Sequence, residues 1–174
     1  MKRSIGLWEL WGFAVTSLLG TLLHFLYDIL GGAIWIAPFS GVNESTWEHM
    51  KLLFWPMLFY AVFQSFFFRD RADFWSIKLK GILLGEILIP IIFYTYNGAI
   101  GKSPDWFNIA IFFIAAAITY IYETKLLKSE PKEHAPTWLS LTLLFVIALA
   151  FVFFTFDPPT LGLFKDPIDG TFGI

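Results

Sequence analysis

Five apolar runs divide this chain, and its charges fall almost wholly between them. The runs cover residues 7–30, 52–68, 77–96, 107–122 and 137–156. A helix needs about 20 residues to cross a hydrocarbon core of about 30 Å. The runs reach or approach that length, so they predict an all-α polytopic membrane protein: a bundle of about five transmembrane helices in one integral membrane domain, residues 1–174. The second and fourth runs are short and are expected to stand nearly upright or to extend into their flanks. Composition agrees. Hydrophobic residues make up 57% of the chain and charged residues 15%, against roughly 25% charged in soluble proteins. The net charge of −2 gives no ground for nucleic-acid binding, and the absence of cysteine excludes disulfides and thiolate metal sites.

The opening "MKRS" before an apolar run imitates a signal peptide. The run is too long for one and carries His24 and Asp28, so it reads as a retained helix. Lysine and arginine then set the orientation. Nine lie at the N-terminus and in the 69–80 and 124–136 loops, where the last also carries His134. Three, Lys51, Lys102 and Lys165, lie on the other side. The bias puts the N-terminus in the cytoplasm and the C-terminus outside. Trp8, Trp11, Trp55, Trp75, Trp106 and Trp138 fall near the ends of the runs, as an aromatic belt places them.

Against this background the stretch "FSGVNESTWEHMKLLFWP", residues 39 to 56, stands out. Every residue from Asn43 to Lys51 except Trp47 and Met50 is polar or ionisable. Ser45 to Glu48 fits the S-x-x-E capping box, which opens the second helix. Glu44, Glu48, Lys51 and Trp55 share one helical face, and Ser45, His49 and Leu52 the next. Capping and a Glu48–Lys51 pair account for part of the stretch and leave Glu44 and His49 over.

Two further segments point towards the same end. Ser17, Gly20, Thr21, His24, Asp28 and Gly31 fall within roughly a 100° arc of the first helix. His24 sits about 26 Å along that helix from Leu7, near the outer boundary. On the third helix Glu86 lies close to mid-membrane, where ionisable groups usually face a protein interior or a cavity. Pro90 removes the helical donor for the Glu86 carbonyl, and Asn97 shares the Glu86 face. The inner half, by contrast, is expected to lack a polar counterpart. The tail, residues 157–174, holds two Asp-Pro steps and several large apolar groups, and is expected to pack on the outer face.

The segments "VNESTWEHMKLLFWPM", "GILLGEILIPIIFYTYNG" and "FTFDPPTLGLFKDPIDGTFGI" resemble a family of small multi-pass bacterial membrane proteins, mainly from Firmicutes, known only as a domain of unknown function. Its marks here are NES-x-WEH-x-K and DP-x-x-GT-x-GI, and the resemblance covers nearly the whole chain. The family pattern often carries an aromatic residue where this chain has Asp157. The resemblance implies a protein of the bacterial cytoplasmic membrane and supplies no activity.

Function then rests on His24, Asp28, Glu44, Glu48, His49, Glu86 and Asn97. The first expectation is an outward-facing site that binds or transports a small ligand or ion, with the lipid bilayer as its setting and a homodimer or membrane partner to complete it. The alternative is a metal-dependent membrane enzyme, with His24, Asp28 and His49 holding zinc or another divalent metal and a spare glutamate as general base. The third reading is a structural or accessory subunit whose polar groups satisfy one another.

Overall fold

The computed structural model describes residues 2–131 and 135–174; Lys132 and His134 of the inner loop lie outside the described residues. The described residues form five α-helices: α1 Lys2–Ile29, α2 Thr46–Ser65, α3 Phe74–Ala99, α4 Asp105–Lys128 and α5 Thr137–Phe156. A short 3₁₀ turn, Gly162–Phe164, follows in the tail. The fold is all-helical. By length and apolarity three segments could cross a membrane: Ser4–Ile29, Trp106–Lys128 and Thr137–Phe156. α2 and α3 carry more charge; Glu48, Lys51, Lys78 and Glu86 are turned inward, while Lys80 is exposed.

Local chemistry sets the ends. α1 stops at Gly31 and Gly32, whose φ values of 65° and 76° lie in the left-handed region that glycine enters without strain. Their amides close back on the Asp28 and Tyr27 carbonyls at 3.0 and 2.9 Å. α2 starts at Ser45, whose hydroxyl accepts from the Glu48 amide at 3.4 Å. Only this half of the expected capping box forms. The Ser45 amide donates to Asn43 Oδ1 at 2.9 Å instead, and the Glu48 carboxylate goes elsewhere. Pro56 and Pro90 sit inside α2 and α3 without ending either helix.

α1 packs on α2 and α4, and α3 packs on α2, α4 and α5. The apolar core, with Leu53, Phe54, Ile82, Ile89, Ala115 and Phe151 at its centre, lies where α2, α3, α4 and α5 meet. The radial distribution of side chains is the reverse of a water-soluble bundle. Lys51 and Lys78 are among the largest fully buried side chains, while Leu18, Phe63, Ile91, Ile121 and Phe145 stand outside. A hydrocarbon solvent accommodates this, because it offers charges nothing and leaves apolar side chains no reason to hide.

The small stripe expected on α1 is rotated. The buried face of that helix runs through Ile5, Glu9, Gly12, Thr16 and Gly20. Each four-residue step drifts about 40° past a full turn. His24 therefore falls at the edge of the buried face, and Asp28, one step on, is exposed. Gly20 keeps its expected role: a methyl there would meet Phe112 at 2.4 Å and the Leu52 carbonyl at 3.0 Å, so the helices approach closely only because the position is bare.

Candidate metal centre

Three side chains converge where α1 ends and α2 begins. His24 comes from α1, Glu44 from the loop and His49 from the first turn of α2. The loop is fastened to α1 just below His24. The Ser40 hydroxyl donates to the Leu23 carbonyl and accepts from the Tyr27 amide at 2.9 Å, so it stands in place of one i→i−4 helical bond. The Gly41 amide donates to the same Leu23 carbonyl at 3.2 Å.

The tail fixes the other side. Asp166, itself buried, accepts from the Glu44 amide at 2.9 Å and from the Ile168 amide at 2.6 Å. Asn43 donates to the Gly173 carbonyl at 3.1 Å. Phe164 stacks on Trp47 with ring centres 4.7 Å apart. The tail therefore sets the backbone of Glu44, and Asp166 is a positioning group that the sequence showed only as part of a turn.

His24 Nε2 lies 3.6 Å from Glu44 Oε1, and His49 Nε2 lies 3.5 Å from Glu44 Oε2. One ligand atom from each residue lies within 4.8 Å of the others. Both nitrogen–oxygen distances exceed a hydrogen bond. They approach the separation of two ligands around tetrahedral zinc, about 3.3–3.5 Å for bonds near 2.1 Å. The His49 tautomer follows from its partner: Nδ1 lies 2.9 Å from the Ser45 carbonyl, which only accepts, so Nδ1 carries the hydrogen. The neutral ring thus turns the Nε2 lone pair towards a carboxylate. A carbonyl that accepts from the far ring nitrogen of a histidine is the usual way of aiming its ligand nitrogen. The side chains of His24, His49 and Glu44 are 26, 25 and 42% exposed, so the group is open on one side. A cavity of about 140 Å³ adjoins it, lined by Glu44, His49, Phe93, Asn97, Ser103 and Ile168 among others.

The remaining sequence candidates divide. Asp28 is exposed and is not part of the close group; Glu44 occupies the third position expected of it. Glu48 is committed to a buried pair with Lys51 at 2.5 Å and to the Val42 amide at 3.1 Å. Lys51 also donates to the Ala37 carbonyl and to Thr155 Oγ1, at 2.8 and 2.9 Å. That pair ties the loop, α2 and the end of α5 together. Asn97 lines the cavity and also braces the α3–α4 turn, accepting from the Ser103 amide at 2.9 Å. Glu86 is buried, and neither of its oxygens has a hydrogen-bond partner among the described residues.

The half of the bundle that the sequence predicts to be inner and without polar groups holds a cluster of them. Glu9 of α1, Gln64 of α2, Lys78 of α3 and Glu123 of α4 meet there, each at most 2% exposed. Lys78 Nζ lies 3.2 Å from both Glu9 oxygens and 2.5 Å from Glu123 Oε2. Gln64 donates to Glu9 at 2.6 Å. In the sequence Lys78, at the very start of the third run, is counted with the loop charges, and Glu123 lies one residue past the fourth run. α3 begins a turn earlier and α4 runs on to Lys128, so both fall inside the bundle. The available signal was spacing: Lys78, Ile82 and Glu86 recur on one face of α3.

These features define an all-helical bundle with helices of membrane-crossing length and a histidine–carboxylate cluster at one end. The chain belongs to DUF6512, a family of unknown function, whose model matches residues 2–174. No curated protein and no solved structure matches it.

Proposed function

We propose that this protein is a multi-pass protein of the bacterial cytoplasmic membrane that binds a divalent transition-metal cation, of the zinc class, at its outer face through His24, Glu44 and His49. In this reading all five helices span the bilayer, with the N-terminus inside and the C-terminus outside. The lysine and arginine bias, the exposed apolar surface and the inward-facing charges of α2 and α3 support it. The carrying observation is the convergence of two imidazole nitrogens on one carboxylate: the His49 Nε2 lone pair faces one oxygen of Glu44, and His24 Nε2 stands 3.6 Å from the other. A cation resolves that arrangement. Two nitrogens and one oxygen suit zinc, and three protein ligands leave a position open. The adjoining cavity gives a small ligand a way to that position, so binding or transport of a small cation is the first reading. Five helices make a small transporter, and a second copy or membrane partner completes it.

The cavity also favours a second reading, a metal-dependent hydrolase in which a bound water at the open position attacks a substrate held against Phe93, Asn97 and Ile168. Metal measurement comes first for both. Protein purified in detergent without chelator is expected to carry close to one zinc or similar ion per chain by elemental mass spectrometry, lost in His24→Ala and in His49→Ala. Metal-free wild type that also fails to take up added zinc overturns the assignment and leaves the cluster a structural tie between α1 and α2.

A further inference from the structure

The inner cluster has a charge imbalance that its hydrogen bonds do not resolve. Glu9, Glu123 and Lys78 carry two negative charges and one positive when all are ionised. The three ammonium hydrogens of Lys78 are spent on the two Glu9 oxygens and on Glu123 Oε2. Gln64 adds one donor to Glu9 Oε1. Two buried acceptors remain without a partner among the described residues, Glu123 Oε1 and Gln64 Oε1. A net negative charge and orphan acceptors in a dry site are both costly. The carboxyls of Glu9 and Glu123 meet on the same ammonium, at 3.2 and 2.5 Å from Lys78 Nζ, and two carboxyls gathered at one buried site favour a proton on one of them.

The groups facing the site come from four helices. α1 supplies Glu9, α2 supplies Gln64 and Tyr60, α3 supplies Lys78, and α4 supplies Glu123 and Tyr120. Tyr60 is occupied by the Trp8 carbonyl at 2.5 Å, and Tyr120 is paired with Thr16 at 2.7 Å. The Lys78 ammonium stands 5.8 Å over the Tyr120 ring. α5 carries no ionisable residue. The added charge is therefore not met by any of these neighbours. A groove between α1 and α4 of about 270 Å³, lined by Gly6, Glu9, Phe13, Tyr120 and Thr124 among others, leads from the protein surface to Glu9.

We propose that Glu9 and Glu123 share one exchangeable proton beside Lys78, which makes this end of the bundle a proton-binding site separate from the histidine cluster. The proton comes from water in the α1–α4 groove and forms an O–H bond on a carboxyl oxygen. It leaves by the same groove. With it the site is neutral, and the new O–H is a donor where only acceptors stood.

The test is infrared spectroscopy of the detergent-solubilised full chain, reading the carboxylic-acid carbonyl stretch at near-neutral pH. Glu86→Gln removes the buried acid that has neither an ion-pair nor a hydrogen-bond partner among the described residues, and serves as the background. That variant is expected to keep an acid band that shifts on exchange into D2O and vanishes on alkalinisation while the helices stay folded. Adding Glu123→Gln or Glu9→Gln abolishes the band, because either change leaves one carboxylate matched to one ammonium. Absence of the band in Glu86→Gln overturns the proposal. So does a band lost with Glu123→Gln but retained with Glu9→Gln, since the proton is then not shared. If a double variant fails to fold, the titration of Glu86→Gln alone decides between a proton-loaded site and a fully ionised triad.

Discussion

The two ends of the bundle use similar side chains to opposite effect. At the outer end His24, Glu44 and His49 are a quarter to two-fifths exposed, and one member sits on a loop held by the tail. At the inner end Glu9, Lys78 and Glu123 are dry, and every member projects from a helix. The outer group gathers two imidazoles and a carboxylate with no lysine or arginine among them, and is open on one side. The inner group has a cation built in as Lys78. Solvent access therefore separates a cluster open to an external cation from one that holds the helices in register and has room only for a proton. A buried ion pair is costly to break, and a half-exposed one contributes little to stability.

That contrast predicts a large asymmetry in stability. Lys78→Met leaves two buried carboxylates facing each other, and is expected to cost about 3–5 kcal/mol in denaturant unfolding in micelles. His24→Ala and His49→Ala, which remove partly exposed groups, should each cost about 1 kcal/mol or less in the absence of metal. Equal losses at the two ends would break the comparison.

Close packing sharpens it. A methyl at Gly81 would stand 2.0 Å from Glu123 Oε1 and 2.6 Å from its Cδ. Gly81→Ala must displace a carboxylate that Lys78 already holds, and overpacking of this kind costs about 1–3 kcal/mol. Gly98, near the outer end of the same helix, has nothing within 4 Å of its added methyl. Gly98→Ala is expected to be neutral or to gain about 0.5–1 kcal/mol, since alanine loses less entropy in a helix. Thermal unfolding of the two variants side by side reads the difference.

At the outer end the sensitive quantity is affinity rather than stability. Asp166→Ala frees the Glu44 amide and loosens the tail without touching a proposed ligand. Loss of such outer support typically weakens metal binding about 10–100-fold. Zinc titration of the variant should show a shift in that range, with faster proteolysis of the tail and a change in unfolding free energy of about 1 kcal/mol. An unchanged affinity would show that Glu44 is held by the cluster itself.

The helices were legible because an apolar run is a property of neighbouring residues. Their ends were less so. α3 begins at Phe74 and α4 runs to Lys128, so Lys78, where the third run and the 69–80 loop overlap, and Glu123, just past the fourth run, looked like loop charge. Charge counting within a turn or two of a run cannot tell a residue that faces water from one that faces three other helices. The outer cluster was legible in its two histidines and in Glu44. Asp28, expected beside them, lies outside the close group because of helical drift. A His and an Asp four residues apart look collinear, but α1 buries a face centred near Thr16, and His24 is already at its margin. Asp166 was invisible because its role depends on a contact 122 residues away in the chain.

Glu86 lies between the two ends and gives the smallest expected effect. It is on the Lys78 face of α3, two helical turns further out, and it precedes Ile89 and Phe93 of the outer cavity wall. Its carboxyl is buried with no partner for either oxygen among the described residues. Glu86→Leu therefore removes a polar group without orphaning another. Its expected effect on unfolding is within about 1 kcal/mol of zero, on the stabilising side, because the penalty of burying an unsatisfied carboxyl is relieved. The same substitution at Glu123 leaves Lys78 paired with Glu9 but removes the acceptor of one of its buried ammonium hydrogens, and should cost more than at Glu86. A loss at Glu86 comparable to that at Lys78 would mean that Glu86 does have a partner, a water or an ion standing between the cavity and the inner triad. The two clusters would then be joined through α3 rather than independent, and metal occupancy at the outer end should change with the protonation of the inner one.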